Sequence, residues 1–373
     1  MADTRRSTKP EPSGIKTPER CPHCNSTRLI KKGSRTKKLE TVAMMKCKAC
    51  GRTFTPGPRA LRNKTYPLAE ILDAITTYNR GHSLAETAAQ LSSRYGHKVN
   101  TATISRWLSQ HPALTTYSRL RPYGKRLYSP RQLIRTTKLY HRQVYEFAYH
   151  RAKLDLLRKG MLDPFIHRNE YDSFQMLADF IESVPSTCPH VLFKAEDGVR
   201  GSQLGDSFID TGSLEVIERQ NAATETAALI IPGVGSNHER HSRLQRFMLA
   251  NDAATVAVEV PIWLGEDDIA GLEAEHGVEL VPKRVQPYGG HGPRQVTGHI
   301  DFLQVRNGCL HILDYKPDAR TNRPFAQLTL YALALTRLVP GLRLFTIKCA
   351  WFNDTAYNEF FPRKLLKGTR RSP

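Results

Sequence analysis

Residues Val296–Tyr331 read VTGHIDFLQVRNGCLHILDYKPDARTNRPFAQLTLY, and this stretch decides the fold. Val296–Val305 and Leu310–Tyr315 have the composition of strands. Asn307-Gly308 between them is a strong hairpin-turn signal. Asp301 then lies inside the first strand and Asp314 at the end of the second. Neighbouring strands are about 5 Å apart, so two carboxylates on one face can share a cation. Asp314 and Lys316 are two residues apart and point to the same face. Such carboxylates hold Mg²⁺ or Mn²⁺, the cation acidifies a bound water, and a lysine orients that water or offsets developing charge. That chemistry suits phosphodiester hydrolysis, and hard oxygen donors favour those ions over zinc.

Three short motifs follow one another in this region: Gly298-His299-Ile300-Asp301, Asp314-Tyr315-Lys316, and Gln327 four residues before Tyr331. Together they resemble the PD-(D/E)xK nuclease core, and most closely its RecB/Cas4-like branch. The resemblance implies an α/β restriction-endonuclease-like domain with the element order α-β-β-β-α-β. It implies catalytic roles for Asp301, Asp314, Lys316, Gln327 and Tyr331, with Asp301 and Asp314 as metal ligands. In that branch a histidine on the first helix joins the metal, and His238 matches best by position. Glu239, or Glu259 within the preceding strand Ala254–Trp263, are alternative acidic ligands. Cas4-type enzymes also carry an iron–sulfur cluster on cysteines after the last helix; only Cys349 lies there, so the chain departs from that pattern.

The rest of the chain frames this core. Its 373 residues are enough for two or three domains, and 40% apolar residues are enough for real cores. The net charge of +20 is uneven: residues 1–160 carry 33 Lys/Arg against 9 Asp/Glu, and the remainder carries 22 against 26. A basic front half points to a polyanion, with nucleic acid as the default. No 18-residue apolar run and no leader-like segment is visible, which excludes a membrane-span reading and favours a reducing, cytoplasmic, nucleoid-associated location.

Residues 1–19 are expected to be a disordered basic arm. In residues 20–60, Cys21-Pro22-His23-Cys24 and Cys47-Lys48-Ala49-Cys50 form two C-x-x-C pairs separated by 22 residues. So short a segment with few large apolar residues needs structural Zn²⁺ on four thiolates, as in a zinc ribbon. Residues 61–115 read as three helices in a helix-turn-helix arrangement. Ser83-x-x-Glu86 is a capping box, Gly96 a C-cap, and Asn100 a cap for the third helix. Ile104, Trp107 and Leu108 would face inward, and Thr101, Thr103, Arg106 and Gln110 would face DNA. The stretch from Cys21 to about His111 resembles the N-terminal DNA-binding portion of IS1-like insertion-element transposases.

Residues 116–165 read as a basic helical connector, because Leu133, Thr137, Tyr140, Val144, Phe147, Arg151, Leu154 and Leu157 recur at helical spacing. Within residues 166–373, assigned to the nuclease domain, a helix is expected over Asp172–Ser183 and a strand over His190–Phe193. Cys188-Pro189-His190 looks like half a metal knuckle without its second pair, and reads as structural filling. Gly233-Val234-Gly235 lacks the lysine and spacing of a phosphate loop.

The composite expectation is a multidomain chain that acts as a metal-dependent DNA endonuclease of a mobile element or defence system. Its cofactors would be structural Zn²⁺ and catalytic Mg²⁺ or Mn²⁺. Its partner would be double-stranded DNA, with a homodimer and a transposase, helicase or defence protein as open associations. A non-catalytic DNA-binding regulator, or an exonuclease working with a separate helicase, are the alternatives.

Overall fold

The structure, a computed structural model, describes residues 20–56, 65–114, 120–194, 199–210, 212, 216–219, 221–231, 237–281 and 294–366. The basic arm expected over 1–19 and the Gly233–Gly235 stretch lie outside the described residues. Two compact units are present. One comprises Met1–Tyr78, Ser83–Pro112 and Thr226–Leu244; the other comprises Asn79–His82, Ala113–Glu225 and Gln245–Pro373.

In the first unit, β1 (Leu29–Thr36), β2 (Thr41–Cys47) and β3 (Thr53–Phe54) form a small antiparallel sheet. Among the described residues its buried apolar cluster comprises Cys21, Met45, Cys47 and Phe54. The turns after each cysteine pair pass through left-handed backbone at Asn25 and Gly51, φ 59° and 72°. This folds the four sulfurs together: Cys21 and Cys50 are 3.7 Å apart, and Cys24 and Cys47 are 3.6 Å apart. Tetrahedral zinc with bonds of about 2.3 Å requires sulfurs about 3.7 Å apart, so the donor set fits the ion. Amide groups of Cys50 and then Ala49 hold the Cys47 thiol down to about 6, against the effect of its burial.

Three helices follow, α1 (Leu68–Asn79), α2 (Leu84–Tyr95) and α3 (Thr101–Gln110). Ser83 and Glu86 cap α2 reciprocally, at 3.1 and 2.7 Å, and Gly96 ends it at φ 69°. The apolar faces meet in Ile71, Leu72, Ile75, Ala88, Leu91, Ile104 and Trp107, all buried. Thr101, Arg106 and Gln110 are exposed, Thr103 half-buried, and Asn100 makes no side-chain cap to α3.

The second unit continues with α4 (Leu120–Leu127), β4 (Ile134–His141), β5 (Gln143–His150), α5 (Arg151–Arg158), α6 (Tyr171–Thr187) and α7 (His190–Lys194). Next come β6 (Val199–Arg200), β7 (Ile217–Arg219), α8 (Ala222–Ile230), α9 (Asn237–Asn251), β8 (Thr255–Leu264) and α10 (Glu266–His276). The chain then forms β9 (Val296–Arg306), β10 (Cys309–Tyr315), α11 (Phe325–Leu338), β11 (Ile347–Phe352) and β12 (Tyr357–Phe360). α8 and α9 run through the boundary between the units without a break. Among the described residues a nine-stranded sheet has the order β4-β5-β8-β9-β10-β11-β12-β7, with β6 beside β9.

The helical connector is a correction. Residues 134–150 are a hairpin turning at Arg142, φ 46°, and among the described residues of 116–165 the α-helices are Leu120–Leu127 and Arg151–Arg158. The stretch is rich in β-branched and aromatic residues, and Ala148 and Tyr149 pair with Val258 and Ala257 of β8. Sheet pairing overrides a chance helical spacing. The strand expected at His190–Phe193 is helix α7, opened by Pro189, whose fixed φ suits a first helical turn. The last strand of the α-β-β-β-α-β order is β11, starting at Ile347, and α10 is inserted between β8 and β9.

α11 is buried along most of its length and packs on β8, β10 and β11. Its Tyr331 occupies the space above two glycines. A Cβ at Gly298 would lie 2.5 Å from Tyr331 Cε1 and 2.6 Å from its hydroxyl, and a Cβ at Gly201 would lie 2.6 Å from Cε1. The glycine three residues before Asp301 is therefore required by helix packing. Gly298→Ala should destabilise the fold by about 1–3 kcal/mol, the usual penalty for overpacking. Denaturant unfolding followed by tryptophan fluorescence checks this; an unchanged midpoint would show that Tyr331 yields freely.

Candidate metal centre

Strand register brings three carboxylates into one row. β10 and β9 pair antiparallel with Leu313 opposite Phe302, so the next opposed residues are Asp314 and Asp301. β8 and β9 pair with Val258 opposite Phe302 and Val260 opposite Ile300, which leaves Glu259 opposite Asp301. Directly opposed residues of antiparallel strands share a face. Glu259 has left-handed backbone, φ 51°, inside its strand. A non-glycine residue held there is strained, and such strain clusters at functional sites.

Hydrogen bonds fix these acids. Gln245 Nε2 donates to Glu259 Oε1 at 2.7 Å and to the Asp301 carbonyl at 3.3 Å. The Tyr315 amide donates to Asp301 Oδ2 at 3.0 Å. Lys316 Nζ pairs with Asp314 Oδ2 at 2.8 Å, and the Lys316 amide is anchored on the Phe352 carbonyl at 3.0 Å. His241 lies one helical turn before Gln245 on the continuous helix α9, hence on the same face. His241, Glu259 and Asp301 each offer a ligand atom within 4.8 Å of the others.

Electrostatics match this crowding. Asp314 is 4% exposed, and burial, then the Asp301 charge, push its carboxyl well above the ordinary range despite Lys316. Burial works against the Lys316 ammonium, but Asp314 outweighs it and holds the lysine above its usual value. Burial also raises the Tyr331 hydroxyl, which accepts a hydrogen bond from Gln327 Nε2 at 3.2 Å. Asp301 and Asp314 both contribute to that rise, which puts Tyr331 within electrostatic reach of the acids. Two carboxylates, an imidazole and a neighbouring lysine are a donor set suited to Mg²⁺ or Mn²⁺.

Compared with the expectations from sequence, Asp301, Asp314 and Lys316 come together on the hairpin, and Gln327 and Tyr331 are one turn apart on α11. The ring gathered with the acids is His241, where His238 was expected; the side chain of His238 lies outside the described residues. Glu259, the weaker sequence candidate, is in the group, whereas Glu239 is exposed and outside it. Asp314 is not part of that group of three and is engaged with Lys316. Gln245 was missed, although its spacing of one turn from His241 was available in the sequence.

Residues 211–355 match the family model described as the PD-(D/E)XK nuclease superfamily. The match covers α9, β8, β9, β10, α11 and β11, so the C-terminal region is a PD-(D/E)xK nuclease-like domain. The cysteine-rich segment and the three helices α1–α3 lie outside the match. Neither a curated protein nor a solved structure matches the chain.

The buried pair of acids sets a sign for stability. A carboxyl whose folded pKa is raised binds more protons folded than unfolded between the two pKa values, so stability falls as pH rises through that window. Without a divalent cation, ionising Asp314 therefore works against folding. Asp314→Asn should raise the melting temperature of zinc-replete protein free of Mg²⁺ and Mn²⁺ at pH 7–8, with a smaller gain near pH 4. A thermal melt across pH checks it; a lower melting temperature at neutral pH would contradict the repulsion.

Proposed function

We propose that the chain is a Mg²⁺- or Mn²⁺-dependent DNA endonuclease that hydrolyses phosphodiester bonds directly, without a covalent enzyme intermediate. The observation that carries this reading is the row Glu259–Asp301–Asp314 across β8, β9 and β10, with Lys316 on Asp314 at 2.8 Å. Asp301, Glu259 and His241 would hold the cation, and Asp314 would present the second hairpin carboxylate opposite Asp301. When bound, the ion would lower the pKa of a water and polarise a phosphate oxygen. Lys316 would orient the attacking water and offset charge on the phosphate; Asp314 keeps its ammonium protonated and aimed. Gln245 and the Tyr315 amide would keep Glu259 and Asp301 in place, and Gln327 with Tyr331 would brace the hairpin from α11.

Docking on duplex DNA would come from the N-terminal half. Support comes from the excess of 33 Lys/Arg over 9 Asp/Glu in residues 1–160 and from the exposed Thr101, Arg106 and Gln110 on α3. Thr103 is half-buried and the weaker contact. A structural zinc on Cys21, Cys24, Cys47 and Cys50 would hold the adjoining sheet. Phosphate contacts position such a protein, and base-edge contacts from a helix specify its site. Membership of the RecB/Cas4-like branch and a role in a mobile element or in defence are consistent with the Gln327–Tyr331 pair and the basic N-terminal half. Among the described residues no helix is long and apolar enough to cross a membrane.

Incubation of supercoiled plasmid with the protein and Mn²⁺, beside Lys316→Ala, tests the reading. The parent should nick or linearise the plasmid only with the cation. Lys316→Ala should lose about 10²-fold or more in rate while retaining DNA binding, as for removal of a charge-stabilising group. Binding without cleavage by either protein would leave a DNA-binding regulator. Cleavage of linear but not circular DNA would indicate an exonuclease.

A further inference from the structure

A second group of metal-binding side chains lies in the same unit as the carboxylate row. His141 ends β4 and is 2% exposed. Its Nε2 lies 2.8 Å from His190 Nδ1 and 4.0 Å from Cys188 Sγ. Its Nδ1 lies 2.9 Å from Nε2 of His299. Cys188 caps the end of α6 through its amide on the Val184 carbonyl, and the His190 amide bonds the Cys188 carbonyl at 2.9 Å. This tight turn around Pro189 presents the sulfur and the imidazole toward the same ring.

His141, Cys188 and His190 each turn a ligand atom toward one point, within 4.8 Å of one another. Burial disfavours a doubly protonated His141. If its one proton sits on Nδ1 and is donated to His299, its Nε2 lone pair faces His190 Nδ1 and the Cys188 sulfur. That is the arrangement of a metal-ligating histidine, whose other N–H is held by a neighbouring acceptor. Tetrahedral zinc, with bonds of about 2.0–2.1 Å to nitrogen and 2.3 Å to sulfur, sets N···N near about 3.3 Å and N···S near about 3.6 Å. The observed 2.8 and 4.0 Å depart from those values in opposite senses, each by about half an ångström, within reach of small side-chain rotations.

We propose that His141, Cys188 and His190 form a Zn²⁺ site separate from both the four-cysteine cluster and the carboxylate row. A thiolate and two imidazoles select zinc over Mg²⁺ and Mn²⁺. The ion ties the end of β4 to the α6–α7 turn. The three side chains leave a fourth ligand position for water, and His190, half-buried, is the ligand nearest solvent. His299, which orients His141, lies two residues before Asp301 on β9 and stacks on Tyr145 at 3.6 Å. The site therefore fastens the edge hairpin β4–β5 and the α6–α7 turn to the strand that carries the carboxylate.

The test is zinc content of the purified full chain after dialysis against a weak chelator, with far-UV circular dichroism as a folding control. His190→Ala removes the ligand nearest solvent and should lower zinc by one ion per chain with an unchanged spectrum. Cys21→Ser with Cys24→Ser should lower it by one independently, and the combination by both. In that ribbon-disabled chain, Co²⁺ should give a thiolate charge-transfer band that Cys188→Ala abolishes. The proposal is overturned if folded His190→Ala keeps the parent's zinc content, or if the folded ribbon-disabled chain shows no thiolate–cobalt band. Should a variant not fold, the parent decides: a single zinc per chain overturns the proposal, and a second that Asp301→Asn retains supports it.

Discussion

Like charges held in place by backbone hydrogen bonds are the constraint on which this structure turns. The ladders β8–β9 and β9–β10 fix which residues oppose one another, and they oppose Glu259, Asp301 and Asp314. Strands are spaced about 4.8 Å apart, so the acids cannot separate without breaking the sheet. One of them, Asp314, is also withdrawn from water. Ionised carboxylates so arranged are costly unless a cation lies among them. Lys316 offsets part of that cost, and its partial exposure leaves its ammonium close to solvent. A site unfavourable when metal-free and favourable when loaded is the physical basis of the proposed chemistry.

The surrounding structure serves that arrangement. α11 lies on β8, β10 and β11, and Gly298 and Gly201 let Tyr331 approach the sheet closely. Gln245 reaches from α9 to Glu259 and to the Asp301 carbonyl, so one side chain fixes two strands. Buried Lys153 bonds the Leu249 and Thr255 carbonyls at 2.9 and 2.6 Å and pins the turn between α9 and β8. Burial lowers its ammonium to about 8, a cost set against the hydrogen bonds it gives those two carbonyls.

Much of this was readable in the sequence where local chemistry and tertiary structure agree. Asn307-Gly308 turns the hairpin with φ 53° and 70°, and Gln327 and Tyr331 lie one turn apart on α11. Ser83, Glu86 and Gly96 bound α2 because their cap hydrogen bonds are local. Residues 134–150 were misread because their apolar spacing fits two periodicities, and the decision rests on β8, more than a hundred residues away. The ring that gathers with the acids, His241, is one turn from the expected His238, because position along a helix does not say which turn meets the sheet. Glu259 could not be ranked, since its left-handed backbone is a property of the folded ladder. His141 and His299 meet across 158 positions, a distance no local motif spans.

The most direct measurement is Mn²⁺ binding to the zinc-replete protein, followed by electron paramagnetic resonance and titration calorimetry, for the parent and for Asp301→Asn. The account predicts that the parent binds Mn²⁺ and that Asp301→Asn, with its fold intact, loses that binding. Equal Mn²⁺ affinity and stoichiometry in the two proteins would contradict it, because a cation indifferent to Asp301 is not held by the carboxylate row.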